Sequence, residues 1–453
     1  MKVIEVLNNI DYIKCYNKLD LEFNDVGINS NDEVDMFIGL KGENNDGSIY
    51  YEKALENGFK IVVINNIPLR KDIEQYLQEN NKMVIIVEDT LKFLQQLATY
   101  KRNLYDIPVI GITGSAGKTS TKDLVYNVVS KKYKTLKTKD NYNNHIGVPL
   151  TILALKDHEC LVVEMGMDHF GEISNSSKIA KPTLSLITNI GTCHMELLGG
   201  IEGVLKAKLE ILDGMSEPKL IVNNDNQLLH DYANKNKVIT FGIDNPSDIM
   251  IKILKEDPYY SIISYKNVDI KVPKGGHAFI YNATAAIAVG IALNIPIEDI
   301  KAGIENTIFT SGRNEIIKAH GYEIISDCYN ANLEATTSAI NYLGLFKNRK
   351  IAVLGTIGQL GDYAESGHGN LGHEIYKNNI DILVTVGKNT NFINEVAISD
   401  GFNKSNSYHF TNIDEAIKLL KSILKENDTI LVKASHFNNF IKIVDELKKL
   451  KVV

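Results

Sequence analysis

Val109-Ile110-Gly111-Ile112-Thr113 is a β-branched apolar run, and Gly114-Ser115-Ala116-Gly117-Lys118-Thr119-Ser120 follows it directly. Small residues let backbone N–H groups turn toward a phosphate chain. A lysine at the loop's end adds positive charge near the outer phosphates, and the next hydroxyl can ligate Mg2+. A helical pattern from Lys122 to Lys132 completes the strand, loop and helix order that this chemistry needs. The spacing departs from the strict eight-residue P-loop, whose first glycine would fall at Ile112 rather than Gly111. The implied ligand is ATP or GTP with Mg2+, held by Gly114, Ser115, Ala116, Gly117, Lys118, Thr119 and Ser120.

Two more polar groups end apolar runs downstream. Cys160-Leu161-Val162-Val163 leads into Glu164-Met165-Gly166, and Leu184-Ser185-Leu186-Ile187 leads into Thr188-Asn189-Ile190-Gly191 and then His194. Ligands collect at the carboxyl ends of parallel strands, so Glu164 and His194 can join Thr119 around Mg2+. Lys206-Ala207-Lys208 lies between Glu202 and Glu210. That spacing alone describes a solvated, salt-bridged helix face.

The elements that must position these groups alternate strand and helix. Residues 1 to about 85 carry strands at Phe37–Leu40, Ile61–Ile64 and Met83–Val87, with a helix from Tyr50 to Asn57 ended by Gly58. Thr90–Leu104 reads as a linking helix. From about 106 the strands named above alternate with helices, including Glu202–Leu212, and Lys219–Val222 adds another strand. Residues 238–272 read as antiparallel strands and His277–Leu293 as an Ala-rich helix. After Gly312-Arg313 a third unit has strands at Glu323–Ser326, Lys350–Leu354, Ile382–Val386 and Thr429–Val432, with a last helix at Phe440–Leu450. The pattern predicts an α/β protein of mainly parallel sheets with helices on both faces.

At 453 residues the chain has room for two to four such units. A net charge of −7 gives no basic footprint for nucleic acid. The cysteines Cys15, Cys160, Cys193 and Cys328 form no CxxC pair, which supports neither a disulfide framework nor a zinc site. No apolar run approaches the roughly 20 residues a membrane span requires, and a cytoplasmic monomer is expected.

Several segments in order give a family resemblance. They are Gly111-Ile-Thr-Gly-Ser-Ala-Gly-Lys-Thr-Ser-Thr-Lys-Asp123, Asn141-Tyr-Asn-Asn-His-Ile-Gly-Val-Pro149, Glu164-Met-Gly166, Thr188-Asn-Ile-Gly191, His194-Met-Glu196, Gly312-Arg313, Asp327-Cys-Tyr-Asn-Ala-Asn332 and Val353-Leu-Gly355. Together they resemble the Mur ligases of peptidoglycan synthesis, densely from about 107 to 375 and weakly at both ends. The Asn141–Pro149 and Tyr329–Asn332 elements resemble the branch that adds D-alanyl-D-alanine to a UDP-muramoyl tripeptide.

The resemblance implies three domains: UDP-substrate binding over 1–88, a central P-loop parallel-sheet ATPase over 106–310, and a Rossmann-like acceptor-binding domain over 311–453. It implies ATP and Mg2+, an acyl phosphate and then an amide. Lys118, Lys208, His194 and Arg313 are the implied catalytic residues. Thr119, Glu164, His194 and Lys208 match the metal set, with Lys208 at the position of a carbamylated lysine. Asn282 matches an adenine contact, Arg313 an interdomain phosphate contact, and Asp327 and Asn330 nucleotide contacts.

Departures are concentrated in the outer regions. The family's Asp-Ser-Arg is here Asn29-Ser30-Asn31, and its Gly-Glu-Arg-x-Asp-Gly-His is Gly42-Glu43-Asn44-Asn45-Asp46-Gly47-Ser48. Both changes lose an arginine, the usual bidentate phosphate partner. Asn-Ala-Asn-Pro becomes Asn330-Ala331-Asn332-Leu333, Gly-Asp-Met-x-Glu-Leu-Gly becomes Gly355-Thr356-Ile357-Gly358-Gln359-Leu360-Gly361, and Lys-Gly-Ser-Arg becomes Lys433-Ala434-Ser435-His436. A ligase joining another carboxylate and amine, and a nucleotide switch without ligation, stand as the rival readings.

Overall fold

The computed structural model of the chain describes residues 1–310 and 312–451, so the outermost positions of the expected 311–453 unit lie outside the described residues. Among the described residues the strands form four sheets.

The first sheet runs in the spatial order Lys14–Tyr16, Met83–Val87, Ile61–Asn65, Met36–Ile38, Val26–Gly27, with only the Lys14–Tyr16 edge antiparallel. Its apolar runs are buried on both faces, as a helix-covered parallel sheet demands. One face packs under Tyr51 and Leu55. The other shares a continuous core with the next sheet through Phe93, Leu94 and Leu97 of the helix Thr90–Asn103, which meets Val148, Ile152 and Val163.

The large sheet is all parallel, in the order Ile249–Met250, Ile239–Gly242, Leu220–Asn223, Leu184–Ile187, Val109–Thr113, Cys160–Glu164, Thr135–Lys137. The reading of 238–272 as antiparallel is corrected here. Only Lys252–Glu256, Ser261–Tyr265 and Val268–Val272 form an antiparallel sheet, while the two strands before them extend the large sheet in parallel. The reason is the helix Gln227–Ala233, which carries the chain back so that Ile239–Gly242 pairs in the direction of Leu220–Asn223.

The loop helix spans Lys118–Val129, starting four residues earlier than its apolar pattern because Gly117, left-handed at φ 80°, turns the chain directly into it. It packs against the helices His277–Ala292 and Ile297–Glu305. The Tyr50–Asn57 reading resolves into a 3-10 turn, Gly47–Tyr50, and a helix, Tyr51–Glu56.

The C-terminal sheet is ordered Glu315–Ala319, Tyr322–Asp327, Thr429–Lys433, Lys350–Gly355, Ile382–Val386, Ser407–Phe410, antiparallel only at its first edge, with an apolar core on each face.

The seat of the loop helix depends on a close backbone approach. A Cβ on Gly303 would lie 2.6 Å from Val128 Cα and 2.9 Å from Asn127 O. Gly303→Ala should lower stability by about 1–3 kcal/mol despite alanine's better helix propensity, because rigid backbone must shift. Denaturant unfolding checks this, and an unchanged midpoint would show that the two helices separate freely.

Candidate active site

Val109–Thr113 lies between Cys160–Glu164 and Leu184–Ile187, with Ile112 opposite Glu164 and Thr113 opposite Ile187. The chain leaves this strand toward both sides of the sheet, so a crevice opens at its carboxyl end. Ser115 to Ser120 of the loop, Glu164, and Thr188, Asn189, Ile190, Thr192 and His194 face that crevice, whose volume is about 790 Å³. The C-terminal unit supplies the opposite wall with Arg313, Asp327, Asn330 and Lys433.

The loop is held by its surroundings. A Cβ on Gly114 would fall 1.9 Å from Thr188 Oγ1, so only glycine fits. Each loop carbonyl is occupied. Lys118 Nζ donates to Gly114 O at 2.7 Å, Asn332 Nδ2 to Ser115 O at 3.1 Å, and Thr188 Oγ1 to Ala116 O at 2.7 Å. The N–H groups of Ser115 and Ala116 go to Asn189 O and Oδ1. The backbone donors left for a ligand are therefore those of Gly117 to Ser120, at the positive end of the loop helix.

Glu164 is 1% exposed. Its Oε1 accepts from Asn143 Nδ2 at 2.7 Å and Thr119 Oγ1 at 3.3 Å, and its Oε2 lies 3.7 Å from Lys122 Nζ without a hydrogen bond. Lys122 is fully buried and donates to Asp140 O at 2.7 Å. Burial depresses the Lys122 ammonium more than Glu164 and Asp123 raise it. His194 Nδ1 is a second buried atom without a hydrogen bond, although Asp168 Oδ1 is 3.2 Å away. Burial holds the imidazole below its ordinary range, opposed by Asp168 and reinforced by Lys208 and Lys118. Among the described residues no cluster of three His, Cys, Asp or Glu could hold a metal. The orphaned Glu164 Oε2 and His194 Nδ1, with the Thr119 hydroxyl, fit a cation that takes its other oxygens from the ligand.

Lys208 does not line the crevice, nor does Gly114. Lys208 is 1% exposed, with no carboxylate within ion-pair distance among the described residues, so the salt-bridged surface reading is not what folds. Burial, then Lys118, lowers its ammonium to about 7, against the pull of Cys193, Asp168 and Glu172. Glu210 instead accepts the N–H groups of Gly171 and Ser174.

Across the crevice, Arg313 Nη2 reaches Thr119 Oγ1 at 3.5 Å with its guanidinium 4.0 Å from the Tyr329 ring centroid. Lys274, whose ammonium burial lowers to about 8, donates to the Arg313 carbonyl. Asp327 is paired with Lys433 at 2.5 Å, and Lys433 also donates to Asn330 O. Asn282 Oδ1 accepts from Thr121 Oγ1 at 3.1 Å, beside Tyr281, whose hydroxyl donates to Asp225 Oδ2 at 2.9 Å. Sequence reasoning gave no site role to Lys122, Asp225, Lys274, Asn332 or Lys433, although Lys122, Asn332 and Lys433 lie within the segments quoted for the resemblance and its departures. The Asp327–Lys433 pair had a signal, since both end parallel strands that pair in register.

A phosphate-type loop on a parallel sheet, closed by an arginine from a second α/β unit, defines a nucleotide-dependent enzyme of several units. Residues 24–102, 112–290 and 312–436 match, in turn, the Mur ligase family catalytic domain, the Mur ligase middle domain, and the Mur ligase glutamate ligase domain. The chain is 36% identical over 420 residues to the UDP-N-acetylmuramoyl-tripeptide–D-alanyl-D-alanine ligase of Bacillus subtilis, covering 91% of this chain and 90% of that one. It superposes on the crystal structure of MurF from Acinetobacter baumannii with a TM-score of 0.83 at 28% identity, covering 95% and 94% of the two chains. The fold also matches MurF ligase from Thermotoga maritima in complex with ADP, at a TM-score of 0.81 and 24% identity, covering 94% and 97%. This chain belongs to the Mur ligase family.

A buried lysine with a depressed ammonium costs folding energy. From about pH 7 up to 10.5 the folded state has shed a proton that the unfolded chain keeps, so stability rises with pH across that window and the full penalty stands below it. Lys208→Met should therefore raise the melting temperature of the ligand-free protein. The gain should be largest near pH 6, on the order of a few kcal/mol, and shrink toward pH 9. A gain that does not change with pH would show that burial does not depress the Lys208 ammonium.

Proposed function

We propose that this protein is an ATP-dependent ligase that adds D-alanyl-D-alanine to the terminal carboxylate of a UDP-N-acetylmuramoyl tripeptide, releasing ADP and phosphate. The observation that carries the reading is the two-sided crevice. Lys118 and the loop-helix N–H groups stand on one wall, and Arg313 reaches Thr119 from the other. In this reading residues 1–88 hold the UDP-sugar, 106–310 the ATP, and 311–453 the acceptor dipeptide.

The substrate carboxylate attacks the γ-phosphorus, the bond to the β-bridging oxygen breaks, and an acyl phosphate forms. The dipeptide amine then adds to the acyl carbon, and the tetrahedral adduct expels phosphate to leave the amide. Such chemistry needs alignment and neutralised charge more than a protein nucleophile. Lys118 and Gly117–Ser120 bind the phosphates, and Arg313 brings a second cation to the transferring group from the C-terminal unit. Thr119, Glu164 and His194 are the residues that would hold Mg2+, which supplies positive charge across the phosphate oxygens. Lys208 would join them as a carbamate. Its amine is partly neutral near pH 7, and a neutral amine can add CO2 and become an anion. Asn282 and the neighbouring Tyr281–Asp225 pair would contact the base.

Lys118→Ala should lower turnover by about 10²–10³-fold, the cost of one preorganised transition-state contact, with the far-UV spectrum intact. Mass spectrometry of the pentapeptide product, with phosphate release dependent on both acceptors, tests the reading as a whole. Phosphate release with neither acceptor present would favour a nucleotide switch instead.

The N-terminal turns provide no arginine. Asn29 Oδ1 accepts from the Asn31 N–H at 3.0 Å, and the 42–48 turn is closed by Gly42 N–H to Asn45 O at 2.8 Å. A raised apparent KM for the UDP-sugar substrate is expected, and Asn44→Arg should lower it by restoring a charged donor worth about 1.5–3 kcal/mol. An unchanged KM with ATP affinity also unchanged would place the diphosphate away from this turn.

A further inference from the structure

The His194 backbone is left-handed at φ 58°, a region that non-glycine residues enter uncommonly. The C-terminal unit grips the chain on both sides of it. Two residues before, Thr192 gives its backbone N–H to Glu334 Oε1 at 2.8 Å and its hydroxyl to Glu334 Oε2 at 3.0 Å. Two residues after, the Glu196 N–H donates to the Gln359 carbonyl at 3.4 Å. The Glu334 carboxylate also fills the space beside Gly191, where a Cβ would lie 2.4 Å from Glu334 Cδ. Glu334 stands in the first turn of the helix Leu333–Gly344, and Asn332, which caps that helix, donates to the loop carbonyl of Ser115.

We propose that Glu334 is a positioning residue for the reaction. By accepting both donors of Thr192 it fixes the 188–194 segment, and with it the His194 ring, once the C-terminal unit is docked. A carboxylate suits this task because its two oxygens span the N–H and O–H of one threonine with charge-assisted hydrogen bonds. The same segment carries Asn189, which holds the Ser115 and Ala116 N–H groups, so Glu334 also steadies the phosphate loop from behind. The activity arm of this inference rests on the ligase reading; its conformational arm does not.

The test compares Glu334→Ala, Thr192→Val, their double variant and Glu323→Ala. Glu323 accepts from Tyr259 OH at 2.7 Å, a second contact between the same two units that does not touch the 188–194 segment. In protein labelled with 15N-histidine, free of nucleotide and metal, the His194 ring resonances should shift or broaden in Glu334→Ala and Thr192→Val and stay in place in Glu323→Ala. In turnover, Glu334→Ala should lower kcat by about tenfold or more, as expected for losing a charge-assisted hydrogen bond from the working conformation. KM for the UDP-muramoyl tripeptide should be unchanged, and the double variant should be no slower than Glu334→Ala alone. Should Glu334→Ala not fold, Glu334→Gln keeps one acceptor and should give the same effects at smaller size. Unmoved His194 resonances, equal shifts in Glu323→Ala, or kcat losses that multiply in the double variant would each overturn the proposal. A wild-type protein that forms no amide would sink the ligase reading and leave the resonance comparison standing.

Discussion

A phosphate chain can sit against backbone only where N–H groups face it and carbonyls do not. The turn Gly114–Gly117 meets this constraint by giving each of its three leading carbonyls a donor from a different place. Lys118 comes from the loop helix, Thr188 from the neighbouring strand end and Asn332 from the C-terminal unit. The glycines are needed because these partners come so close that a side chain at Gly114 would strike Thr188. Much of the architecture serves this turn: a parallel sheet to bring strand ends together, a helix to aim its N-terminus, and a second α/β unit to close the Ser115 carbonyl.

Charge is the other demand. Lys122, Lys208 and Lys433 are among the largest side chains buried completely. Desolvating an ammonium is costly unless it is paired, and the three differ in how that cost is met. Lys433 has Asp327 and the Asn330 carbonyl. Lys122 has the Asp140 carbonyl and a looser approach to Glu164. Lys208 has neither kind of partner among the described residues, and it is the one whose ammonium falls to about 7. A fold that tolerates such a residue gives up stability at that position.

The nucleotide loop was legible because its signal is local: a β-branched run, small residues and Gly-Lys-Thr within twelve positions. Glu164 and His194 were legible as strand-end groups. The parallel pairing of Ile239–Gly242 was not, because strands this short carry no mark of their partner's direction. Nor was the burial of Lys208, since lysines and glutamates at helical spacing describe a wet face, and only tertiary contacts show that Glu210 serves Gly171 and Ser174 instead. Glu334 was beyond reach for the same reason: its partner lies 142 positions away and neither residue is unusual in its own neighbourhood.

The apolar core that joins the first sheet to the second has a consequence during synthesis. Leu94 and Leu97 on the helix Thr90–Asn103, whose inner side shares a core with Met36, Ile38, Val63 and Ile85 of the first sheet, share that core with Val148, Ile152, Val163 and Ile173 on the other side. When the first hundred residues have left the ribosome, that face has no partner, and more than forty further residues must follow before Val148 and Ile152 can cover it. The nascent N-terminal unit therefore carries a sticky surface through a stretch of translation, the condition that invites chaperone capture or mispairing between neighbouring chains. The C-terminal unit, with a core on each face of its own sheet, emerges with no such debt.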